Sequence, residues 1–592
     1  MSVRSSVNQL GVDLMPPNPP HMSHDGSLRT LYGMGATPSA TLKSTSRSVN
    51  YFQTAWSNVG SSLPSPSPSL PSQLYPSNLT DQQRDSTYPS HWGARFLIMT
   101  GAAGVYALCF FDPVVIAALV PTISEEWGQL ALVSWVPLAY LIVVTLFQPL
   151  WDHLLKVFGG IPVGGISSVF LVVGSVVSAT APSLEVLAIG RGVSGVGISG
   201  LMALMSFVAN ELAPTSVSAM MLSTQGMVFV LANVAGPLLG GVLGQYLTWR
   251  WFFYFYILVG ILAPLALVTL VPFPATGARV WTSLKRFDSL GFITGLGSLL
   301  CFSLGMTLGG SVYAWAEFPI LFCFCIGTAL TLVFVIIQAS LAKEPLFPIR
   351  SILRRNILVC VATIFAQNFV YTILLYVTPL FLVIVQQDSL LLAGVKLLPL
   401  TAGQVVASLS TGLFTHHTAR YRWPIWLGGG LITVGVGLCT LLTRTTNPVV
   451  HMAYLLLVGL GCGMRTQPLL MMTQTAVVER DAPKATLCYS LVQNLGAILG
   501  LATFTTILNT VRLDQFHTIF TTQFTTDFVA LMTAGKEFPF YLYANAYLDS
   551  FVKVSYVVML ALIPIAILGA LLSFFLKDDS LPGTPNEDLP SR

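Results

Sequence analysis

The sequence predicts an all-α polytopic membrane protein of about fourteen transmembrane helices. Three observations predict it. Apolar runs near the roughly 20 residues needed to cross a bilayer recur from Arg95 to Leu576 with short breaks. Of 592 residues, 54% are hydrophobic and only 9% charged, with a mean hydropathy of +0.73, whereas soluble domains carry roughly 25% charged residues. The Lys and Arg residues between the runs fall in alternate loops, as in a chain threaded back and forth.

Taken in order, residues 1–92 form a Ser/Pro-rich segment, with Pro64-Ser65-Pro66-Ser67-Pro68-Ser69 at its centre. It has too little apolar surface to offset the entropy of ordering, so a disordered tail is expected. No secretory signal pattern precedes the first span, which is expected to direct insertion itself. The Asn78-Leu79-Thr80 sequon then reads as a chance match in a cytosolic tail. Spans are expected near 95–119, 132–151, 163–181, 184–209, 217–245, 250–271, 289–310, 318–341, 357–385, 390–414, 423–442, 450–476, 486–510 and 552–576.

One set of loops carries Lys156; Arg279, Lys285 and Arg286; Lys343, Arg350, Arg354 and Arg355; Arg420 and Arg422; Arg480 and Lys484. The other set is nearly free of cations and holds Glu125, Glu126, Glu185, Glu317 and Asp388. The first set is therefore read as cytoplasmic, with both termini on that side. A segment at 511–551 reads as one long outer loop lying along the membrane surface.

The net charge of +4 and the absence of a basic block exclude a nucleic-acid partner. All eight cysteines lie in apolar stretches and read as packing residues. Cys323 and Cys325 form a C-x-C with no second ligand pair, so no metal site is expected. With no Walker A loop, no histidine boxes and no nucleophile motif, neither ATP, a cofactor nor an enzyme activity is expected.

The most informative stretch is Ser223–Tyr256. Gly236, Gly240 and Gly244 recur every four residues and line one helix face, where a neighbouring backbone can approach closely. Pro237 weakens the hydrogen-bond ladder beside them, and Gly241 completes Gly236-Pro237-Leu238-Leu239-Gly240-Gly241. Trp249-Arg250-Trp251 follows. This order resembles the fifth-span antiporter motif and sixth-span start of the major facilitator superfamily.

Further motifs extend the resemblance over Arg95–Leu576: Phe111-Asp112 with Pro121; Ser134-Trp135 with Tyr140; Gly190-Arg191-Gly192 through Gly195 and Gly197; Phe287-Asp288-Ser289-Leu290-Gly291; Glu344-Pro345-Leu346-Phe347-Pro348; and Ala393-Gly394 with Leu397-Leu398-Pro399. The set is most similar to the fourteen-span drug:proton antiporters of fungal efflux-pump type. That resemblance implies two six-span halves, 93–271 and 342–576, separated by a linker with two inserted spans at 272–341 and followed by a cytoplasmic tail at 577–592. The chain departs from the family at the loop after span two. There Asp152, Lys156 and Gly160 stand where Gly, Asp and Arg are usual, leaving Asp152, Lys156 and Gly159 as the candidate gate loop. Val114 and Ala117 replace a Thr and an Asn, and Tyr256 and Leu258 replace an Asn and a Pro.

An ionisable side chain inside a span costs roughly 2.5 to 3.5 kcal/mol on insertion scales, so each one calls for a function. Asp112 and Arg191 are the proton-coupling candidates: Asp112 as the early-span carboxylate, Arg191 as the guanidinium that sets the electrostatics around an acid. Arg465, with Gln467, Gln367, Asn368 and Tyr371, makes up the candidate substrate cavity. By internal pseudo-symmetry span twelve corresponds to span four, which would turn Arg191 and Arg465 toward one central cavity and favour an anionic cargo.

The expected function is export of a small organic compound (a toxin, secondary metabolite, drug or organic acid) by proton antiport and alternating access. The alternatives are uptake or vacuolar transport of amino acids or metal chelates and, more remotely, a membrane receptor or enzyme. The expected partners are the cargo, protons and the lipid bilayer. A monomer in the plasma membrane is expected, with the vacuolar membrane as the alternative location.

Overall fold

A computed structural model describes residues 92–128, 132–209, 215–271, 288–310, 313–342, 354–418, 420–477, 482–518 and 540–576. The Ser/Pro-rich tail before Trp92, the linker at 272–287 and the segment after Leu576 lie outside the described residues. Among the described residues the chain forms fourteen long helices and no β-strand. They are α1 (Trp92–Trp127), α2 (Trp135–Phe158), α3 (Gly160–Ala179), α4 (Leu184–Phe207), α5 (Thr215–Tyr246), α6 (Arg250–Leu270) and α7 (Ser289–Leu308). There follow α8 (Phe318–Ile336), ending in a π-helical turn at Ile337–Leu341, then α9 (Arg355–Ile384), α10 (Leu390–Thr418), α11 (Arg422–Cys439), α12 (Pro448–Thr475), α13 (Ala482–Thr518) and α14 (Phe540–Ser573).

Each helix coincides with one expected span, and thirteen are long and apolar enough to cross a membrane. The fourteenth, α11, is diluted by Arg422, Trp423 and the run Gly428-Gly429-Gly430. Helix starts are set by local chemistry. Ser183 accepts from the Val186 N–H at 3.4 Å, Asp288 from Gly291 at 2.8 Å and Asn447 from Val449 at 2.9 Å. Gly159 alone separates α2 from α3; its φ of 82° is a left-handed value that glycine reaches without strain.

The segment expected as one outer loop at 511–551 is different. Helix α13 continues to Thr518 and α14 already begins at Phe540, so both ends of that segment are helix, and 519–539 lies outside the described residues. Hydropathy marks the thickness of the hydrocarbon layer, whereas the backbone hydrogen-bond ladder continues through polar residues beyond it.

Helices α1–α6 pack as α1 on α5 and α6, α2 on α4, and α3 on α4 and α6. Helices α9–α14 repeat those pairings eight helices later: α9 on α13 and α14, α10 on α12, and α11 on α12 and α14. The two groups meet through α5–α10, α1–α9 and α2–α13. The α7–α8 hairpin lies against α2 and α13 through α7. Near its start α7 places Phe292 edge-on to Phe147 of α2 at 5.0 Å. At its far end, Thr506 of α13 donates to the Met306 carbonyl at 2.5 Å.

The glycine face of α5 is the seam of this arrangement. A Cβ at Gly236 would stand 3.0 Å from Val114 of α1, and one at Gly240 would stand 2.6 Å from the Ala118 Cβ and 3.0 Å from the Val115 carbonyl. Gly244 faces Thr122. One step round the helix, Gly241 faces the backbone of Leu390 and Leu391 at the start of α10, at 2.8 and 2.9 Å, and Gly394 of α10 lies on the Pro237 carbonyl. Helix α5 is thus clamped between α1 of its own group and α10 of the other. Gly240→Leu should force these helices apart, at a cost of about 1 to 3 kcal/mol for overpacking, and lower the thermal stability of the solubilised protein. Unchanged stability in a thermal-shift measurement would contradict the close contact.

Candidate functional site

Asp112 lies midway along α1 and Arg191 at the start of the Gly-rich part of α4, 79 residues away in the chain. The structure brings them together. Arg191 Nη1 donates to Asp112 Oδ1 at 2.7 Å and Nη2 to Oδ2 at 2.5 Å, with both side chains 1% exposed. Nε also reaches the Val136 carbonyl of α2, at 3.4 Å. The guanidinium lies 4.3 Å from the centroid of the Tyr140 ring and 5.9 Å from that of Phe253.

This is the geometry two charges require away from water: both arms of the fork on the two carboxylate oxygens, with Nε bonded as well. Both carboxylate oxygens accept N–H groups from the one guanidinium.

The glycines of the motif make the placement possible. A Cβ at Gly190 would meet Ser178 of α3 at 2.6 Å, and one at Gly195 would meet the Tyr140 carbonyl of α2 at 3.1 Å. Helix α4 therefore beds into α3 and α2, while Arg191 projects to α1. Tyr256, one of the departures from the family pattern, is buried and donates its hydroxyl to the Leu108 carbonyl of α1. From the other helix group, the Tyr376 hydroxyl of α9 donates to the Pro113 carbonyl at 3.3 Å, next to Asp112.

The other expected residues are not gathered with this pair. Arg465 does not face a centre shared with Arg191. It is 1% exposed and turned toward α11 and α14, where Nη2 donates to the Gly569 carbonyl at 2.8 Å and Nε has no partner among the described residues. Its stem fills the space over Gly428, where a Cβ would stand 2.7 Å from the Arg465 Cγ. Pseudo-symmetry relates the helices but not the rotational position of each residue on them. Arg191 is neutralised by Asp112 and Arg465 is packed away, so the expectation of an anionic cargo loses both charges on which it stood.

Gln367 donates to the Cys462 carbonyl and to Thr466 Oγ1, both at 3.0 Å, and so ties α9 to α12. Asn368 donates within its own helix to Ile364 at 3.2 Å, Tyr371 is half-buried, and Gln467 is exposed beside Gly412 of α10. In the gate loop, Asp152 is half-buried within α2 and Lys156 is exposed. The two do not form the i, i+4 ion pair their spacing allows; the ion pairs among the described residues are Arg191–Asp112, Arg250–Glu126 and Lys396–Asp388.

Two of those pairs were missed. Arg250, in the Trp-Arg-Trp corner, holds Glu126 at the end of α1 at 2.8 Å, while the Trp249 indole donates to the same carboxylate. Lys396, a lone cation in an apolar span, meets the same criterion that singled out Asp112. Arg465→Gln should alter export of matched acidic and neutral compounds by the same factor, read as efflux from cells loaded with each. A loss confined to acids would put this guanidinium in the cargo's path.

The Major Facilitator Superfamily model matches residues 102–501. The chain is 29% identical over 436 residues to the aspyridones efflux protein of Neocamarosporium betae, covering 73% of this chain and 77% of that one. It is 27% identical to the rubrofusarin-specific efflux pump aurT of Gibberella zeae, over 70% of this chain and 76% of that protein. Among solved structures, a bacterial homologue of the human lysosomal transporter Spinster superposes with a TM-score of 0.55 at 15% identity. That match covers 82% of this chain and 98% of the other. Fourteen helices in two like-paired groups, the α5 glycine seam and a family match across most of the helical region together establish that the chain belongs to the Major Facilitator Superfamily.

Proposed function

We propose that this protein exports a small organic metabolite by proton antiport, with the two helix groups rocking about a central site. The observation that carries the reading is the buried Asp112–Arg191 pair. A carboxylate in a membrane core is costly, and this one is held by a fork that moving the pair's helices can open. In the described state both carboxylate oxygens of Asp112 accept from Arg191. When α1 and α4 shift, the fork leaves, Asp112 takes a proton, and the freed guanidinium needs new acceptors from water, backbone or cargo. Coupling follows if the proton-bearing and cargo-bearing arrangements exclude each other.

Relatives named for efflux of aspyridones and of rubrofusarin support a secondary metabolite or similar compound as cargo. The distribution of Lys and Arg supports cytoplasmic termini, which puts the α5–α10 contact at Gly241 on the outer side. The described state is then the one closed to the outside. A plasma-membrane monomer fits export from the cell.

Asp112→Asn should abolish export driven by a pH gradient, measured in energised vesicles. It should also lower the amount of folded protein, since removing one partner of a buried pair costs about 3 to 5 kcal/mol. The double variant Asp112→Asn/Arg191→Gln should regain folded protein without regaining proton-driven export. Export that keeps its full dependence on the pH gradient in the double variant would contradict the reading.

A further inference from the structure

Helix α9 passes into α10 through a tight turn. The Gln386 N–H donates to the Phe381 carbonyl at 3.3 Å and the Asp388 N–H to Leu382 at 3.1 Å. Gln387 has a φ of 56°, a left-handed conformation uncommon for a residue with a side chain. Lys396, seven residues into α10 and 4% exposed, reaches back over this turn. Its Nζ donates to Asp388 Oδ2 at 2.5 Å and to Gln386 Oε1 at 3.1 Å.

A lysine is an expensive residue for that position. It lies in an apolar span, where a cation is costly to bury. What the pair holds is the stretch that touches the other helix group. Leu390 and Leu391, two and three residues after Asp388, rest on Gly241, and the Leu391 N–H donates to Gln245 Oε1 at 3.0 Å. The turn is also backed from α12, where buried His451 sets its ring edge-on to Phe381 at 5.8 Å.

We propose that the Lys396–Asp388 ion pair is the latch that positions Leu390 and Leu391 against α5 and so keeps this end of the transporter shut. The proposal rests on the alternating-access reading above. With the pair made, the turn is held in its left-handed form and the start of α10 is delivered to the glycine face of α5. With the pair broken, the turn relaxes and the contact with Gly241 loosens, which is the first movement of opening at this end. Both residues are positioning residues: neither has to touch the cargo.

The test places cysteines at Gln245 and Leu391 in the full-length protein in membranes and measures their joining by a short thiol crosslinker. Export of a fluorescent efflux substrate is followed in parallel. Lys396→Met and Asp388→Asn should each lower the crosslinking yield about fivefold or more, while Lys396→Arg retains most of it. Unchanged crosslinking in a well-expressed Lys396→Met protein overturns the latch.

If that variant does not accumulate, the charge-reversed pair Asp388→Lys/Lys396→Asp carries the test. Retained crosslinking supports the latch and lost crosslinking overturns it. Crosslinking that falls in Lys396→Met while the unsubstituted protein exports nothing supports the latch and counts against the export reading. Export that falls with crosslinking intact counts against the latch alone.

Discussion

Two charges buried in an apolar helix bundle, Asp112 and Arg191, constrain how the helices around them can pack. Each alone would be expelled or neutralised; together they are tolerable only while both arms of the fork stay on the two carboxylate oxygens. That requirement fixes the distance and rotation of α4 relative to α1. It also explains the company the pair keeps: Val136 and Tyr140 from α2 complete the guanidinium's surroundings, while Gly190 and Gly195 remove the bulk that would hold α4 away from its neighbours.

The two helix groups share their pairings but not their chemistry. In the first group the arginine of α4 turns inward to an acid on α1. In the second, Arg465 of α12 turns outward to the glycines of α11 and the Gly569 carbonyl of α14. Among the described residues the Asp112–Arg191 pair is the fully buried acid–arginine pair, centred on α1 close to the point where Tyr376 of α9 touches Pro113. That hydrogen bond joins the second helix group to the backbone beside Asp112.

Much of the fold was legible because hydropathy reads the bilayer thickness directly, and all fourteen helices lie where apolar runs predict them. The glycine spacing of α5 was equally legible, since a repeat of four residues can only line one face. Asp112 and Arg191 were visible as single costly residues, but their meeting was not: it depends on which face of α4 packs toward α1. Arg465 failed for the same reason, because helix correspondence gives no rotation. The Lys396–Asp388 pair escaped notice because Asp388 reads as an ordinary loop acid until the turn folds back over it. The helical ends of 511–551 escaped notice because hydrophobicity ends before the helix does.

The central claim is that the Asp112–Arg191 pair exchanges its ion pair for a proton when cargo is bound and released. The most direct measurement is the proton count of the purified protein in weak buffer as an exported compound is added. Linkage predicts that cargo releases up to about one proton per transporter at a pH where the proton-bearing form is populated, and none from the Asp112→Asn/Arg191→Gln protein that still binds the compound. Equal proton release from both proteins would contradict the account.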